Sequence, residues 1–259
     1  MIMFPADTFK PIYDVINQLC KLILSIADKN FWFGIFPYIA IFIALYGLFH
    51  RYRKHQFTYS SQSSQFLNRD YSLSQSLNFF HYGIITVLSF HFLFILIGLF
   101  FPTEFSSFSN QNSLLITIFE IFLWTITIGI ILGMVMLLIR RISNPSVRVV
   151  TTNMDWVLII VLFIQVNLGL LIAMFNFPGS SWFVGSIVPW FESLFTLHPT
   201  IDTISTYDAI VQFHMLNGFV IFAILPYTRL VHFLSFPYTY LTRKYQVVVW
   251  YTRNRSHNA

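Results

Sequence analysis

The sequence predicts an all-α integral membrane protein, a bundle of five transmembrane helices. Hydrophobic residues make up 56% of the 259 residues, and only 10% are Asp, Glu, Lys or Arg. A water-soluble globule of this size would need more polar surface than these residues provide. Runs apolar enough to cross about 30 Å of hydrocarbon occur near residues 31–49, 77–101, 113–139, 156–176 and 209–232.

Residues 1–30 form the first predicted unit, an amphipathic segment at the membrane surface. Within residues 11–27, PIYDVINQLCKLILSIA, one helical face collects the apolar side chains Ile12, Val15, Ile16, Leu19, Leu22, Ile23 and Ile26. The stretch is too short and too charged to span a bilayer. A signal peptide is disfavoured because no basic n-region precedes the apolar stretch and no A-x-A site follows it. We therefore expect a helix that lies in the outer interface.

The distribution of Lys and Arg predicts how the spans are oriented. The connections 102–112 and 177–208 contain neither residue, whereas the other connections and the C-terminal end are rich in both. The positive-inside rule then places the C-terminus in the cytoplasm and the N-terminus outside. The five-span domain covers residues 31–242, and a basic cytoplasmic tail follows at 243–259. The net charge of +5 thus reflects topology, and nucleic acid is not expected as a partner.

Four of the eight histidines lie within the apolar spans. His81 and His91 belong to the second span, and His214 and His232 to the fifth. Ionisable side chains at membrane depth are expensive and mark function by default. The eighteen residues between His214 and His232 correspond to five helical turns, so a continuous helix would carry both on one stripe. For any single histidine, the alternative is a hydrogen-bonded packing role. The presence of four histidines on only two spans disfavours this alternative.

The two histidine-bearing spans run in opposite directions, which pairs the histidines by depth. His91 and His214 form an outer pair, and His81 and His232 form an inner pair. The separations along the two helices, about 15 and 27 Å, differ, so tilt and a bend at Pro226 must absorb the difference. The single cysteine of the chain excludes a thiolate-held iron–sulfur cluster and a covalent haem. Two imidazoles per site suit the axial positions of a non-covalent haem, whereas zinc or copper usually needs a third ligand.

Neighbouring residues extend this prediction of two b-type haems. Arg229, one turn before His232, is a candidate partner for a haem propionate or alternatively a topology anchor. Gly83 and Gly218 would let a flat macrocycle approach the backbone or would let helices pack closely.

Three motifs resemble those of a known family, the gamma or cytochrome b subunit of membrane-bound respiratory nitrate reductase. They are NFFHYGI at 78–84, RVVTTNMDW at 148–156 leading into QVNLGLL, and RLVHFLSFPYTYLTRKYQVV at 229–248. The resemblance covers about residues 31–250. It implies a di-haem cytochrome b that oxidises quinol near the outer face. Electrons would then pass through the outer, distal haem to the inner, proximal haem.

The resemblance also implies the partners of the chain. An iron–sulfur beta subunit and a molybdenum-containing alpha subunit would lie on the cytoplasmic side of the bacterial inner membrane, where nitrate becomes nitrite. The chain itself would contact lipid and the quinone pool and would hold no nitrate site. The basic tail and the first inner loop would serve as docking surfaces.

One departure from the family pattern concerns the quinol site. Relatives place a lysine near the start of the third span, but the stretch FSSFSNQNSLLITIFEIF contains none. Glu120, about 10 Å from the outer start of that span, is a candidate acceptor for a quinol proton. A hydrogen bond to a neighbouring helix is the alternative role for this side chain.

Two other functions stay open at this stage. The chain also fits the cytochrome b anchor of another quinone-linked enzyme, such as a formate dehydrogenase, a hydrogenase or a nitrite oxidoreductase. A transporter with a histidine proton relay is disfavoured because the sequence shows neither repeats nor paired broken helices.

Overall fold

The computed structural model describes residues 6–54, 71–176 and 179–233, and these residues form an all-helical protein. The predicted basic tail at 243–259 and the inner loop at 55–70 lie outside the described residues. Eleven α-helices occur within the described ranges: α1 Ala6–Leu24, α2 Phe36–Lys54, α3 Tyr71–Phe100, α4 Pro102–Gln111, α5 Ser113–Ser143, α6 Pro145–Val149, α7 Asn153–Phe175, α8 Gly179–Trp182, α9 Val188–Phe195, α10 Ile201–Ser205 and α11 Ala209–Ile224.

Five of the helical stretches are long and apolar enough to cross a membrane. They are Phe31–Lys54, Gln75–Phe100, Ser113–Ser143, Asn153–Phe175 and Ala209–Tyr227. The number and the approximate positions of the predicted spans are therefore confirmed. The first span begins with a π-helical turn, Phe31–Ile35, which continues into α2.

The spans pack side by side in a series. Helix α3 packs on α5, α5 on α7, α7 on α11, and α11 on α2. The contact between α3 and α5 is close, because a methyl group on Gly133 would lie 2.9 Å from the backbone nitrogen of Phe80. Within the described residues, α3 and α11 do not pack closely on each other. These two helices carry three of the four histidines.

We name the two ends of the bundle by their short helices. The α1 end holds α1, α8, α9, α10 and the start of α11, whose apolar residues form one buried cluster around Trp190, Ile204 and Ile210. The α6 end holds α6 and the chain after Ile224. A second cluster, around Ile130, lies between α5 and α7 and contacts residues of α3 and α11.

The prediction of one continuous helix over 209–232 was wrong. Helix α11 ends at Ile224, a 3-10 turn follows at Leu225–Tyr227, Thr228 is extended, and a second 3-10 segment runs from Arg229 to Phe233. The bend expected at Pro226 is thus a complete break. Proline supplies no backbone N–H to continue the helix, and the Arg51 guanidinium of α2 donates to the Pro226 carbonyl at 2.7 Å and to the Thr228 carbonyl at 3.2 Å.

The amphipathic N-terminal segment is helical, as predicted, and forms α1. This helix packs on α11 and α7. Tyr13 and Cys20 are buried on its inner face, whereas nearly all of the predicted apolar row is exposed, with Leu22 68% exposed and Val15 57%. The predicted apolar face of α1 is therefore not the face that packs on the protein.

Candidate functional site

The structure brings His81 and His232 of the inner pair together. Their ring centroids are 6.4 Å apart, and the ring planes are inclined by 59°. Two imidazoles on opposite sides of one metal ion have centroids about 6 Å apart, since each metal–nitrogen bond is about 2 Å and each ring adds about 1 Å. The inner pair therefore has the spacing of two ligands to a single metal.

Backbone carbonyls orient both rings of the inner pair. His81 Nδ1 is 3.1 Å from the Leu77 carbonyl oxygen, and His232 Nδ1 is 2.6 Å from the Arg229 carbonyl oxygen. A carbonyl only accepts hydrogen bonds, so Nδ1 carries the proton in each ring. The lone pair of Nε2 is then free to bind a metal, in the arrangement usual for metal-ligating histidines.

His91 of the outer pair is oriented in the same way. Its Nδ1 donates to the Val87 carbonyl at 2.8 Å, and its ring meets the Phe183 ring edge to face at 5.9 Å. The side chain is exposed in the described structure. His214 lies close enough to His91 for the two imidazoles to interact electrostatically.

His214 differs from the other three histidines. Its Nδ1 is buried and has no hydrogen-bond partner among the described residues, which is rare for a buried polar atom. Its Nε2 is 3.4 Å from the side-chain nitrogen of Gln165. A ligand at this nitrogen would satisfy His214, and the pairing of His214 with His91 around one metal stays a prediction.

Helix α7 contributes residues to the site that sequence reasoning missed. The Asn217 amide donates to Gln165 Oε1 at 2.8 Å and to the Val161 carbonyl at 3.1 Å, and it thereby fixes the Gln165 side chain beside His214. A methyl group on Gly169 would lie 3.1 Å from His214 Cε1. The four-residue spacing of Gln165 and Gly169 in QVNLGLL places both on one helical face, and this was the available signal.

Arg229, predicted as a propionate partner, forms an ion pair in the structure. Its Nε is 3.0 Å from Asp155 Oδ1, and its Nη2 donates to the Val150 carbonyl at 2.9 Å. Asp155 is buried and also closes a capping box with Thr152 at the start of α7. Arg229 therefore anchors the segment that carries His232 onto α7, and its role toward a propionate stays a prediction.

Two further arginines at the α6 end have buried donors without partners. Arg140 Nε and Nη2 and Arg141 Nη1 make no hydrogen bond within the described part of the chain. Burying a cationic donor without an acceptor is costly. These nitrogens are therefore suited to bind an anionic group, and Arg141 lies close to Asp155 and Arg229.

Glu120, the predicted quinol-site candidate, holds the start of α8. One carboxyl oxygen accepts from the Ser180 backbone N–H at 2.9 Å and from the Ser180 hydroxyl at 2.8 Å, and the other accepts from the Gly179 N–H at 3.0 Å. The side chain is 5% exposed. This geometry matches the hydrogen-bonding alternative, and a role toward quinol stays a prediction.

The two glycines proposed to admit a macrocycle face neighbouring helices. A methyl group on Gly83 would lie 2.5 Å from a side-chain carbon of Ile130 in α5, and one on Gly218 would lie 3.7 Å from the Gln165 amide nitrogen. Gly83 therefore serves the close packing of α3 on α5.

Comparison with known proteins identifies the family. The family model described as nitrate reductase gamma subunit matches residues 29–251. The chain is 32% identical to the respiratory nitrate reductase 1 gamma chain of Escherichia coli over 84% of this chain and 96% of that protein. It is 27% identical to the nitrate reductase gamma chain of Bacillus subtilis over 83% of this chain and 95% of that protein. A third relative, the nitrate reductase-like protein NarX of Mycobacterium tuberculosis, is 31% identical over 83% of this chain and 33% of its own length. With the match extending through all five spans and the four histidines, this chain belongs to the nitrate reductase gamma subunit family.

Proposed function

We propose that the chain is the di-haem cytochrome b subunit of a quinol:nitrate oxidoreductase and carries electrons from membrane quinol to a cytoplasmic partner. The observation that carries the proposal is the inner pair, whose rings lie 6.4 Å apart and whose Nδ1 atoms are both held by carbonyls. Within the described residues, no three His, Cys, Asp or Glu side chains converge on a common point. Two-histidine sites suit haem, because the porphyrin supplies the remaining ligands of the iron.

Each histidine has a defined role in this proposal. His81 and His232 would hold the inner, proximal haem, and His91 and His214 would hold the outer, distal haem. Haem supplies reversible one-electron chemistry when it is bound. The carbonyls of α3 keep His81 and His91 in the tautomer that presents Nε2 to iron.

The two pairs would divide the electron path into two steps. His81 and His91 are ten residues apart on α3, which corresponds to about 15 Å along a helix. Quinol gives up two electrons and two protons on oxidation. If quinol reacts near the outer pair, the protons leave on the outside while the electrons pass inward through the inner pair. Charge is then separated across the membrane without a proton channel through this chain.

The charges at the α6 end support contact with an electron-accepting partner. Arg140 and Arg141 carry buried donors without acceptors in the described part of the chain, and the positive-inside rule assigns this end to the cytoplasm. The propionates of the inner haem would supply anions for them. An iron–sulfur beta subunit, joined to a molybdenum-containing alpha subunit, would dock at this end at the cytoplasmic face of the bacterial inner membrane.

The direct test is haem content. The full-length chain, purified with its partners from cells supplied with ample haem precursor, is assayed by pyridine haemochrome and by redox titration. We expect two b-type haems per chain and two reductive steps, both accessible to a quinol analogue. A colourless preparation would overturn the proposal. If two haems are present but quinol does not reduce them, the chain is still a cytochrome, and its proposed role in oxidising quinol is overturned.

A further inference from the structure

Helix α1 lies outside the part of the chain that the family model matches, which begins at residue 29. It nevertheless forms specific contacts with the family domain. Its packing partners are α11, the helix that carries His214, and the end of α7. The contacts are polar as well as apolar, which a helix that merely rests on the membrane surface would not require.

Helix α1 supplies the N-terminal capping that α11 does not provide for itself. Asp208 occupies the N-cap position of α11, but its side chain makes no capping hydrogen bond. Its carboxylate instead accepts a hydrogen bond from the Tyr13 hydroxyl at 2.6 Å. The backbone N–H of Ile210 donates to Asn17 Oδ1 of α1 at 3.2 Å.

This contact matters because the first turn of α11 is cut off from water. Ile210 is 0% exposed and Val211 is 1% exposed. The first N–H groups of a helix have no partner within the helix, and here water cannot replace one. Asn17 therefore satisfies a donor that would otherwise be buried without an acceptor.

The remaining contacts fix α1 along its length. Tyr13 is 7% exposed and packs its ring on Phe175 of α7 with centroids 4.4 Å apart, and Cys20 is 3% exposed. At the far end of the helix, the Trp32 indole N–H donates to the Leu24 carbonyl at 3.0 Å. Burial and the Asp208 carboxylate raise the pKa of Tyr13 to about 12, so the phenol keeps its proton and remains a donor at neutral pH.

We propose that α1 is a positioning element for the outer haem ligand, which closes the first turn of α11 and so holds His214, one turn after Ile210, in place. This inference rests on the proposed function. It assigns to a segment outside the family region a role in setting the properties of one haem and not of the other.

The test uses the full-length chain, purified with its partners, in four variants. Asn17→Leu removes the acceptor, Asn17→Asp keeps an acceptor at the start of α11, and Tyr13→Phe removes the donor to Asp208. Gln18→Leu is the matched control because Gln18 is exposed on the same helical turn. Three quantities are measured: the alkylation rate of Cys20, the amide hydrogen exchange of residues 209–214, and the midpoint potentials of both haems.

We expect Asn17→Leu and Tyr13→Phe to speed both Cys20 alkylation and amide exchange by roughly fivefold or more, as loss of a helix cap predicts. The midpoint potential of the outer haem should fall, because water that reaches the site stabilises the more highly charged oxidised iron. The inner haem should keep its potential. Asn17→Asp and Gln18→Leu should match the unmodified chain in all three measurements.

The outcomes separate this inference from the proposed function. An unmodified chain without haem would overturn both. In a second outcome, the unmodified chain holds two haems, and the midpoint potential of the outer haem is the same in Asn17→Leu and Tyr13→Phe as in the unmodified chain. That result would overturn the positioning role alone and would leave α1 as a membrane-surface helix. Equal shifts of both haems would also overturn it, since a general loss of stability would then be the cause. If Asn17→Leu does not fold, the Tyr13→Phe variant decides by the same criteria.

Discussion

Replacement of Glu120 distinguishes a structural carboxyl group from one that accepts a quinol proton. Glu120 accepts three hydrogen bonds from Gly179 and Ser180, the first residues of α8. The N–H groups of both residues lack acceptors within that helix. Glu120→Leu would leave two backbone donors and one hydroxyl unpaired, with those of Ser180 buried and that of Gly179 half-buried. Glu120→Gln keeps one oxygen for Ser180 and turns an NH2 group toward the Gly179 N–H.

The magnitude follows from the number of unpaired groups. Each buried donor left without a partner costs about 1–3 kcal/mol. Loss of the acceptor for the two buried Ser180 donors should therefore lower the free energy of unfolding by roughly 2–6 kcal/mol, and the half-buried Gly179 N–H adds a smaller cost. For a chain of this length that corresponds to a decrease in Tm on the order of 10 °C. Glu120→Gln loses one bond and should cost about 1–3 kcal/mol.

The assay combines thermal unfolding in detergent with steady-state quinol:nitrate turnover. We expect Glu120→Leu to unfold at a clearly lower temperature, and Glu120→Gln to unfold slightly below the unmodified chain with turnover reduced only a few-fold. Thr117→Val is the control, because the Thr117 hydroxyl donates to the Ser113 carbonyl of its own helix and to no other group among the described residues. A normal Tm in Glu120→Leu would refute the structural role. A normal Tm in Glu120→Gln with turnover reduced by roughly 10²-fold or more would show that the carboxyl group transfers a proton.

Further predictions concern the histidine pairs, helix packing, Cys20 and the ion pair at the α6 end. Replacing either member of the outer pair with Ala should remove the same haem and leave the other reducible, as pyridine haemochrome and redox titration would show; removal of different haems would contradict the pairing. Gly133→Ala, whose added methyl group would lie 2.9 Å from α3 backbone, should lower Tm and deplete the inner haem, whereas Gly129→Ala, with its nearest neighbour at 3.9 Å, should not. Burial raises the pKa of the Cys20 thiol to about 11, so alkylation of Cys20 at pH 8 should be roughly 10²-fold slower in the folded than in the unfolded chain. Because the folded state favours the neutral thiol, the free energy of unfolding should decline as the pH rises toward 11. Asp155→Asn, which removes the charge that pairs with Arg229, should shift the potential of the inner haem more than that of the outer haem, measured in the same titration.

Several features of the chain could be predicted from the sequence because they depend on local properties. The length and apolarity of a run determine whether it can cross a membrane, so the five spans were found at nearly their observed positions. The spacing of histidines and the direction of the spans paired His81 with His232, and the structure places those rings together.

Other features required the tertiary structure, because partners distant in the chain decide them. Arg51 of α2 donates hydrogen bonds to the carbonyls at the break after α11. His232 therefore lies in a separate 3-10 segment and not in α11. Arg229 pairs with Asp155, and Glu120 pairs with Ser180. No local pattern in the sequence predicts these partners.

The clearest limit concerns which face of a helix packs. The sequence showed that α1 has an apolar row, but the structure packs α1 through Tyr13, Asn17 and Cys20 and leaves Val15 and Leu22 exposed. The lipid tails around a membrane protein are as apolar as its interior. Hydrophobicity therefore determines that a segment enters or lies on the membrane, whereas hydrogen bonds and close steric fit, which only the folded chain specifies, determine which side chains it buries.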